Sequence, residues 1–167
     1  MSARINWLEC TVVPMNVSLL QEMGQWIYPP PYDFYNMTGS DEETEEFLGG
    51  SYFAVIDGNN HVVGFCCTGG AATVPSGVSA GVYPADGALD IGLGMRPDLT
   101  GKGRGRDFMA TLLQFSRRQL SARSLRLTVA TFNTRAIRLY QRVGFVGRHE
   151  FTAGDVPFLV MYRRSDT

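Results

Sequence analysis

The stretch Leu89-Asp-Ile-Gly-Leu-Gly-Met-Arg-Pro-Asp-Leu-Thr-Gly-Lys-Gly-Arg-Gly105 decides how the rest of the chain is read. It begins as a strand, breaks at a proline-marked turn, and sets Gly101, Gly103 and Gly105 at the mouth of a helix. Glycine lets a backbone turn tightly enough for several amide hydrogens to converge on one point. The helix behind adds its own unpaired amides and the positive end of its dipole, which together suit a phosphate or pyrophosphate. Lys102, Arg104 and Arg106 add positive charge around that point. Two nucleotide motifs fail on spacing. A P-loop needs G-x-x-x-x-G-K-[ST], but here Gly101-Lys102 is followed by Gly103, and no hydroxyl is placed to hold magnesium. The dinucleotide fingerprint needs G-x-G-x-x-G and a later acid, whereas the 42 residues after Asp107 contain none. A glycine turn of purely structural purpose is the plainer alternative.

A second element follows at Asn133-Thr-Arg-Ala-Ile-Arg-Leu-Tyr-Gln-Arg-Val-Gly-Phe145. Asn133 and Tyr140 are two helical turns apart, on one face and roughly 10 Å apart along the axis. That spacing suits a ligand lying along the helix, gripped in its middle by an amide and met at its reactive end by a phenol. The plainer reading makes Asn133 an N-cap and Tyr140 a half-buried core phenol.

Taken together, Met-Arg-Pro-Asp, then Thr-Gly-Lys-Gly-Arg-Gly and a helix, then a strand and Asn-x-x-Ala-x-x-x-Tyr-x-x-x-Gly-Phe resemble the GNAT superfamily of acyl-CoA N-acyltransferases. The sharp match covers about residues 88–145 of what reads as a single domain over 1–167. The resemblance implies a mixed α/β fold: a mostly antiparallel central sheet of about six or seven strands, one splayed parallel pair, and about four flanking helices. It implies acetyl-CoA as acyl-donor cosubstrate and no metal. Backbone groups of Leu93 and Met95 would pair with the pantetheine amides. Amides from Gly101, Lys102, Gly103, Arg104, Gly105 and Arg106 would hold the pyrophosphate. Asn133 would bond the pantetheine arm and Tyr140 would protonate the departing thiolate. One departure is plain: Thr100 stands where the family pattern Q/R-x-x-G-x-G/A has its first residue.

Working outward, residues 4–13 read as a strand and 16–27 as an amphipathic helix on Val17, Leu20, Met23 and Ile27. Tyr28-Pro-Pro-Pro-Tyr32 cannot continue that helix. Ser40 and Glu43 form a capping-box pattern before a short acidic helix. Residues 51–57 and 61–68 flank Gly58-Asn59-Asn60 as a hairpin. Residues 69–87, with five glycines and two prolines, read as a long functional or mobile loop. Then come a strand at 88–95, a helix at 105–120 carrying Phe108, Leu112 and Phe115, a strand at 125–129, and a helix from Asn133 that Gly144 should end. A last strand covers 158–162. The order is β-α-α-β-β-β-α-β-α-β-β.

The 167 residues are 44% hydrophobic and 19% charged, which excludes a disordered tail, a collagen-like rod and a disulfide scaffold. Net charge is -1, but unevenly spread: residues 1–95 hold one base and eleven acids, residues 96–167 fourteen bases and five acids. A basic half is built to meet an anion, unless the halves simply pair with each other. A nucleic-acid role is disfavoured, because the arginines fall on helices without an aromatic stacking platform. Cys10, Cys66 and Cys67 lack metal-ligand spacing and read as packing residues, and His61 and His149 are isolated. No apolar run reaches the roughly 20 residues a membrane helix needs, and the start lacks a secretory pattern, so a cytoplasmic protein is expected.

The expected reaction is acetyl transfer to a primary amine of a small molecule or peptide by direct attack. Asp90, acting through water, is the candidate base, with Glu22, Asp33 and Asp86 in reserve. The plain alternative for Asp90 is a pair with an arginine. Tyr28, Tyr32, Tyr35 and the 69–87 loop are candidate walls of the acceptor site. A competing reading is a non-catalytic acyl-CoA-binding or regulatory module of the same fold. A homodimer is compatible with the resemblance, though no segment requires one.

Overall fold

A computed structural model describes residues 4–164. The elements run β1 (Thr11–Pro14), α1 (Val17–Met23), α2 (Asp41–Phe47), β2 (Tyr52–Ile56), β3 (Val62–Thr68), α3 (Pro75–Ser79), β4 (Leu89–Met95), α4 (Gly105–Arg118), β5 (Ser124–Ala130), α5 (Thr134–Arg142), β6 (Val146–Ala153) and β7 (Val156–Arg164). The strands order as β1-β2-β3-β4-β5-β7-β6 in one seven-stranded mixed sheet. This is the mixed α/β architecture expected, with five α-helices among the described residues where about four were expected.

Two compact units share the chain. The first holds the residues up to Cys67 together with Leu93–Leu112. In it β1, β2 and β3 pair antiparallel, Val13 opposite Ala54 and Phe53 opposite Cys66. Its core is built from Leu20, Met23, Val55, Val63, Leu99, Phe108 and Met109, all at most 7% exposed. Gly64 is required by packing: a Cβ there would collide with the Phe108 ring and lie 3.0 Å from the Gly94 carbonyl. The expected strand at 4–13 is shorter than its pattern. Asn6 Oδ1 accepts from the Leu8 N–H at 3.2 Å and winds Trp7–Glu9 into a 3-10 turn, so β1 begins only at Thr11. Helix α1 stops at Gly24 rather than running to residue 27.

The second unit holds Thr68–Gly92 and the residues from Leu113 onward. Strands β5, β7 and β6 are antiparallel, Leu127 opposite Met161 and Phe151 opposite Phe158. Among the described residues the parallel ladder of β4 with β5 is two pairs long, Leu89 with Leu125 and Asp90 with Arg126. The 69–87 segment is more ordered than its glycines suggest. It contains a 3-10 turn at Gly69–Ala72 and α3, which Pro75 starts. Gly77 is buried there, because a Cβ would stand 2.8 Å from Tyr83 and 2.9 Å from Phe151. Strand β6 is an edge, exposed over 146–150, and its register slips between Gly147 and His149.

Candidate active site

In the first unit, β4 leads straight into the glycine-rich turn. The Arg96 N–H donates to the Val63 carbonyl at 2.9 Å, carrying the strand end along β3. Arg96 then clamps Asp98 through two bonds, 2.6 and 3.2 Å, and the guanidinium holds that carboxyl below its usual range. Pro97–Leu99 forms one 3-10 turn, anchored by the fully buried Leu99. Thr100, the departure from the family pattern, donates its hydroxyl to the Pro97 carbonyl at 2.7 Å and so closes this turn.

Gly101 and Gly103 follow with φ of 70° and 74°, left-handed values separated by a residue that is not. Alternation of this kind makes successive N–H groups face one concavity. Arg104 occupies the cap position of α4, and its carbonyl accepts from the Phe108 N–H. An arginine side chain is all donor, so it cannot satisfy the amides of the helix's first turn. Its Nη1 is buried with no hydrogen-bond partner. Converging amides, an uncappable helix start and an orphaned guanidinium nitrogen all ask for an anion. The residues here therefore fit a coenzyme's diphosphate.

At the strand end, the Met95 carbonyl accepts from the Tyr28 hydroxyl at 2.6 Å. Glu22, a reserve base, is committed elsewhere: its carboxylate accepts from the Val62 N–H and lies 3.3 Å from His61 Nδ1, joining α1 to the start of β3. Asp33 lies in a 3-10 turn at Tyr32–Tyr35. Burial pushes the Cys66 thiol up to about 12, and burial with Asp57 and Glu9 nearby pushes Cys10 up to about 11.

In the second unit, Asp90 meets an arginine. Arg126 Nε and Nη2 donate to its two oxygens at 2.6 and 2.8 Å. The same guanidinium reaches the Pro84 carbonyl at 2.9 Å, the Tyr162 hydroxyl at 3.2 Å and Asp86 at 3.4 Å. Its carbon lies 5.4 and 5.6 Å from the Tyr83 and Tyr162 ring centres. The Asp90 carboxylate makes the Arg126 guanidinium keep its proton more firmly than it would in water, although burial works the other way. Asp86 is pulled below its usual range by the Ala88 N–H and, less strongly, by Arg126. Tyr83 completes the assembly, its hydroxyl 2.7 Å from Thr128 Oγ1 and accepting from the Val74 N–H at 3.1 Å. Arg126, Tyr83 and Tyr162 are not among the site residues expected from the sequence. The available signal was a charge in the middle of an apolar strand, Leu-Arg-Leu-Thr-Val, which must find a partner to be buried.

Asn133 does cap α5, its Oδ1 accepting from the Ala136 N–H at 3.1 Å. Tyr140 is 8% exposed, its ring edge-on to Phe145 at 6.0 Å. Gly144, at φ 100°, ends the helix as expected: the Phe145 N–H donates to the Tyr140 carbonyl at 2.9 Å and the Gly144 N–H to Gln141. Among the described residues no group of three or more metal-binding side chains is assembled, and no helix is long and apolar enough to cross a membrane.

The sheet is mixed with one short parallel pair, and β4 leads into a glycine-rich turn at the head of α4. Residues 20–145 match the family model for the acetyltransferase (GNAT) family, and the chain belongs to that family. It is accordingly an acyltransferase. No curated protein sequence matches it. Among solved structures, a GNAT-family acetyltransferase from Bacillus anthracis is similar in fold, with a TM-score of 0.70 at 15% identity over 96% of this chain and 97% of that one. AAC(6')-Ib in complex with ribostamycin and coenzyme A gives 0.71 at 17% over 93% of both chains. A spermidine N-acetyltransferase from Vibrio cholerae, in complex with CoA and spermine, gives 0.68 at 19% over 94% and 96%.

Proposed function

We propose that this protein transfers the acetyl group of acetyl-CoA to a primary amine by direct attack. The observation that carries the reading is the turn at 101–106, with its two left-handed glycines and the unpartnered Arg104 Nη1. In it, amides of Gly101, Lys102, Gly103, Arg104, Gly105 and Arg106 bind the diphosphate, and the Arg104 guanidinium supplies the side-chain contact that Thr100 does not. Backbone groups of Leu93 and Met95 pair with the pantetheine amides; the Met95 carbonyl has a second lone pair beside the one Tyr28 uses. Asn133, at the head of α5, is assigned to the pantetheine arm.

The amine nitrogen attacks the thioester carbonyl, the carbon–sulfur bond breaks, and Tyr140 delivers its proton to the sulfur. A primary amine of pKa about 10.4 must first lose a proton. Asp90, through a water, is assigned that role, because an ionised carboxylate has lone pairs beyond those a guanidinium occupies. Its bidentate pair with Arg126 favours a second reading, in which it orients Arg126 and the amine deprotonates to solvent. Asp90→Asn separates the two. Loss of a base flattens the acid limb of kcat/KM, whereas loss of an orienting partner lowers stability and keeps the profile's shape. The high thiol pKa values of Cys10 and Cys66 support direct attack over a covalent cysteine intermediate.

Calorimetry with acetyl-CoA and with free CoA tests the reading, followed by thiol release across a panel of amines. Saturable heat and amine-dependent release are expected. A folded protein that takes up neither ligand overturns it.

A further inference from the structure

The segment Tyr28-Pro-Pro-Pro-Tyr-Asp-Phe-Tyr-Asn36 is unlike the rest of the surface. Four of its nine residues are aromatic and three are proline, so little chain freedom is lost in fixing it. It is closed on itself by the Tyr28 N–H bonding Asn36 Oδ1 at 2.7 Å, the Tyr32 N–H bonding the Pro29 carbonyl at 2.8 Å, and the Asn36 N–H bonding the Asp33 carbonyl at 3.1 Å. The Tyr28 hydroxyl pins it to Met95, at the end of the strand assigned to the coenzyme's arm.

The rings form a corner. Tyr35 stands at 73° to Tyr28 with centres 6.5 Å apart, and at 85° to Phe34 with centres 5.2 Å apart. Phe34 is 51% exposed and Tyr35 39%, with Ile27 beside the segment at 76%. The corner thus presents apolar ring surface to solvent, and the charge around it sets the sign of what it attracts. From residue 5 to residue 95 there is no lysine or arginine, and Asp33 sits inside the segment between Tyr32 and Phe34. Ring faces attract an ammonium and one carboxylate can neutralise it. The segment itself contributes one carboxylate against four aromatic rings, a balance that suits one ammonium on an apolar body.

We propose that this segment is the acceptor-recognition wall, and that the substrate is a primary monoamine on an apolar, ring-bearing body rather than a polyamine or an aminoglycoside. This rests on the transferase reading above. The ring or branched body packs in the Phe34–Tyr35 corner, the ammonium is drawn in by Asp33 and the ring faces, and the nitrogen is presented towards the end of β4.

The test compares 2-phenylethylamine, n-butylamine, spermidine and ribostamycin at saturating acetyl-CoA. A kcat/KM for 2-phenylethylamine at least ~10-fold above the other three is expected, the scale of a cation–aromatic contact with ring burial. The double variant Phe34→Ala/Tyr35→Ala should lose that preference through KM, with CoA heats unchanged. Asp33→Asn should raise KM for every amine, most at low salt. Faster turnover of spermidine or ribostamycin, or an unaltered preference in the double variant, overturns the proposal while leaving the transferase reading intact. A second readout does not depend on turnover: 2-phenylethylamine titrated into CoA-loaded protein should shift tyrosine fluorescence in the parent and not in the double variant. No release with any amine defeats the transferase reading, and no fluorescence change defeats this one.

Discussion

The Tyr140 hydroxyl and the Arg126 guanidinium are both buried polar groups, and removing each should have a different signature. Tyr140→Phe deletes one oxygen and keeps the ring's packing on Phe145. Turnover is expected to fall by ~10²-fold, the lower range for general acid catalysis, with CoA affinity unchanged by calorimetry. Arg126→Met is a structural lesion instead. It leaves the Asp90 carboxylate, only 13% exposed at its side chain, without the two bonds that neutralise it. Loss of one partner from such a pair costs about 3–5 kcal/mol, which a urea midpoint will register directly. The clamp also ties down the Pro84 carbonyl and Asp86, so proteolysis in the 83–88 segment should quicken in the same variant.

At the scale of elements, the glycine-rich turn before α4 behaves as a unit whose geometry is set by two backbone positions. A Cβ at Gly103 would meet nothing within 4 Å, so Gly103→Ala tests conformation rather than space. At φ 74° the side chain costs about 1–2 kcal/mol, and the amides are expected to swing out of convergence. CoA affinity should therefore drop with the fold retained, read by calorimetry and circular dichroism. This turn was legible in the sequence because glycine spacing, a proline and a following apolar stripe all state local rules. So were the β2–β3 hairpin and the end of α5 at Gly144. The first strand was not, because Asn6 offers the backbone a closer bond than any sheet partner. Nor was α3, a helix of five residues held by what surrounds Gly77 rather than by its own propensity. Asp90 was singled out, but its partner lay 36 residues away, and only strand register brings Arg126 opposite.

For the molecule as a whole, the two unevenly charged sequence halves meet where Arg126 of the basic half holds Asp90 and Asp86 of the acidic half. Asp86 and Asp98 both ionise more readily in the fold than in a free chain. A carboxyl whose folded value is depressed contributes stability that is present above its unfolded value near about 3.9 and lost as pH falls through the folded one. Stability should thus be level from neutrality to about pH 5 and decline below about pH 4, with Asp98→Asn showing a shallower decline in urea midpoints.

The slip in β6 has a bearing on how this protein behaves when crowded. An outermost strand offers its unsatisfied backbone to any neighbour, and a flat one would template stacking of copies into fibres. Here Arg148 is the surplus residue between Gly147 and His149, so the rim kinks where a second copy would have to lie straight, and it carries a cation at the kink with Glu150 close by. Taking out that single arginine would straighten the rim and leave the already exposed Val146 on an even hydrogen-bonding margin. The cost would appear as turbidity in concentrated solution before any loss of catalytic power.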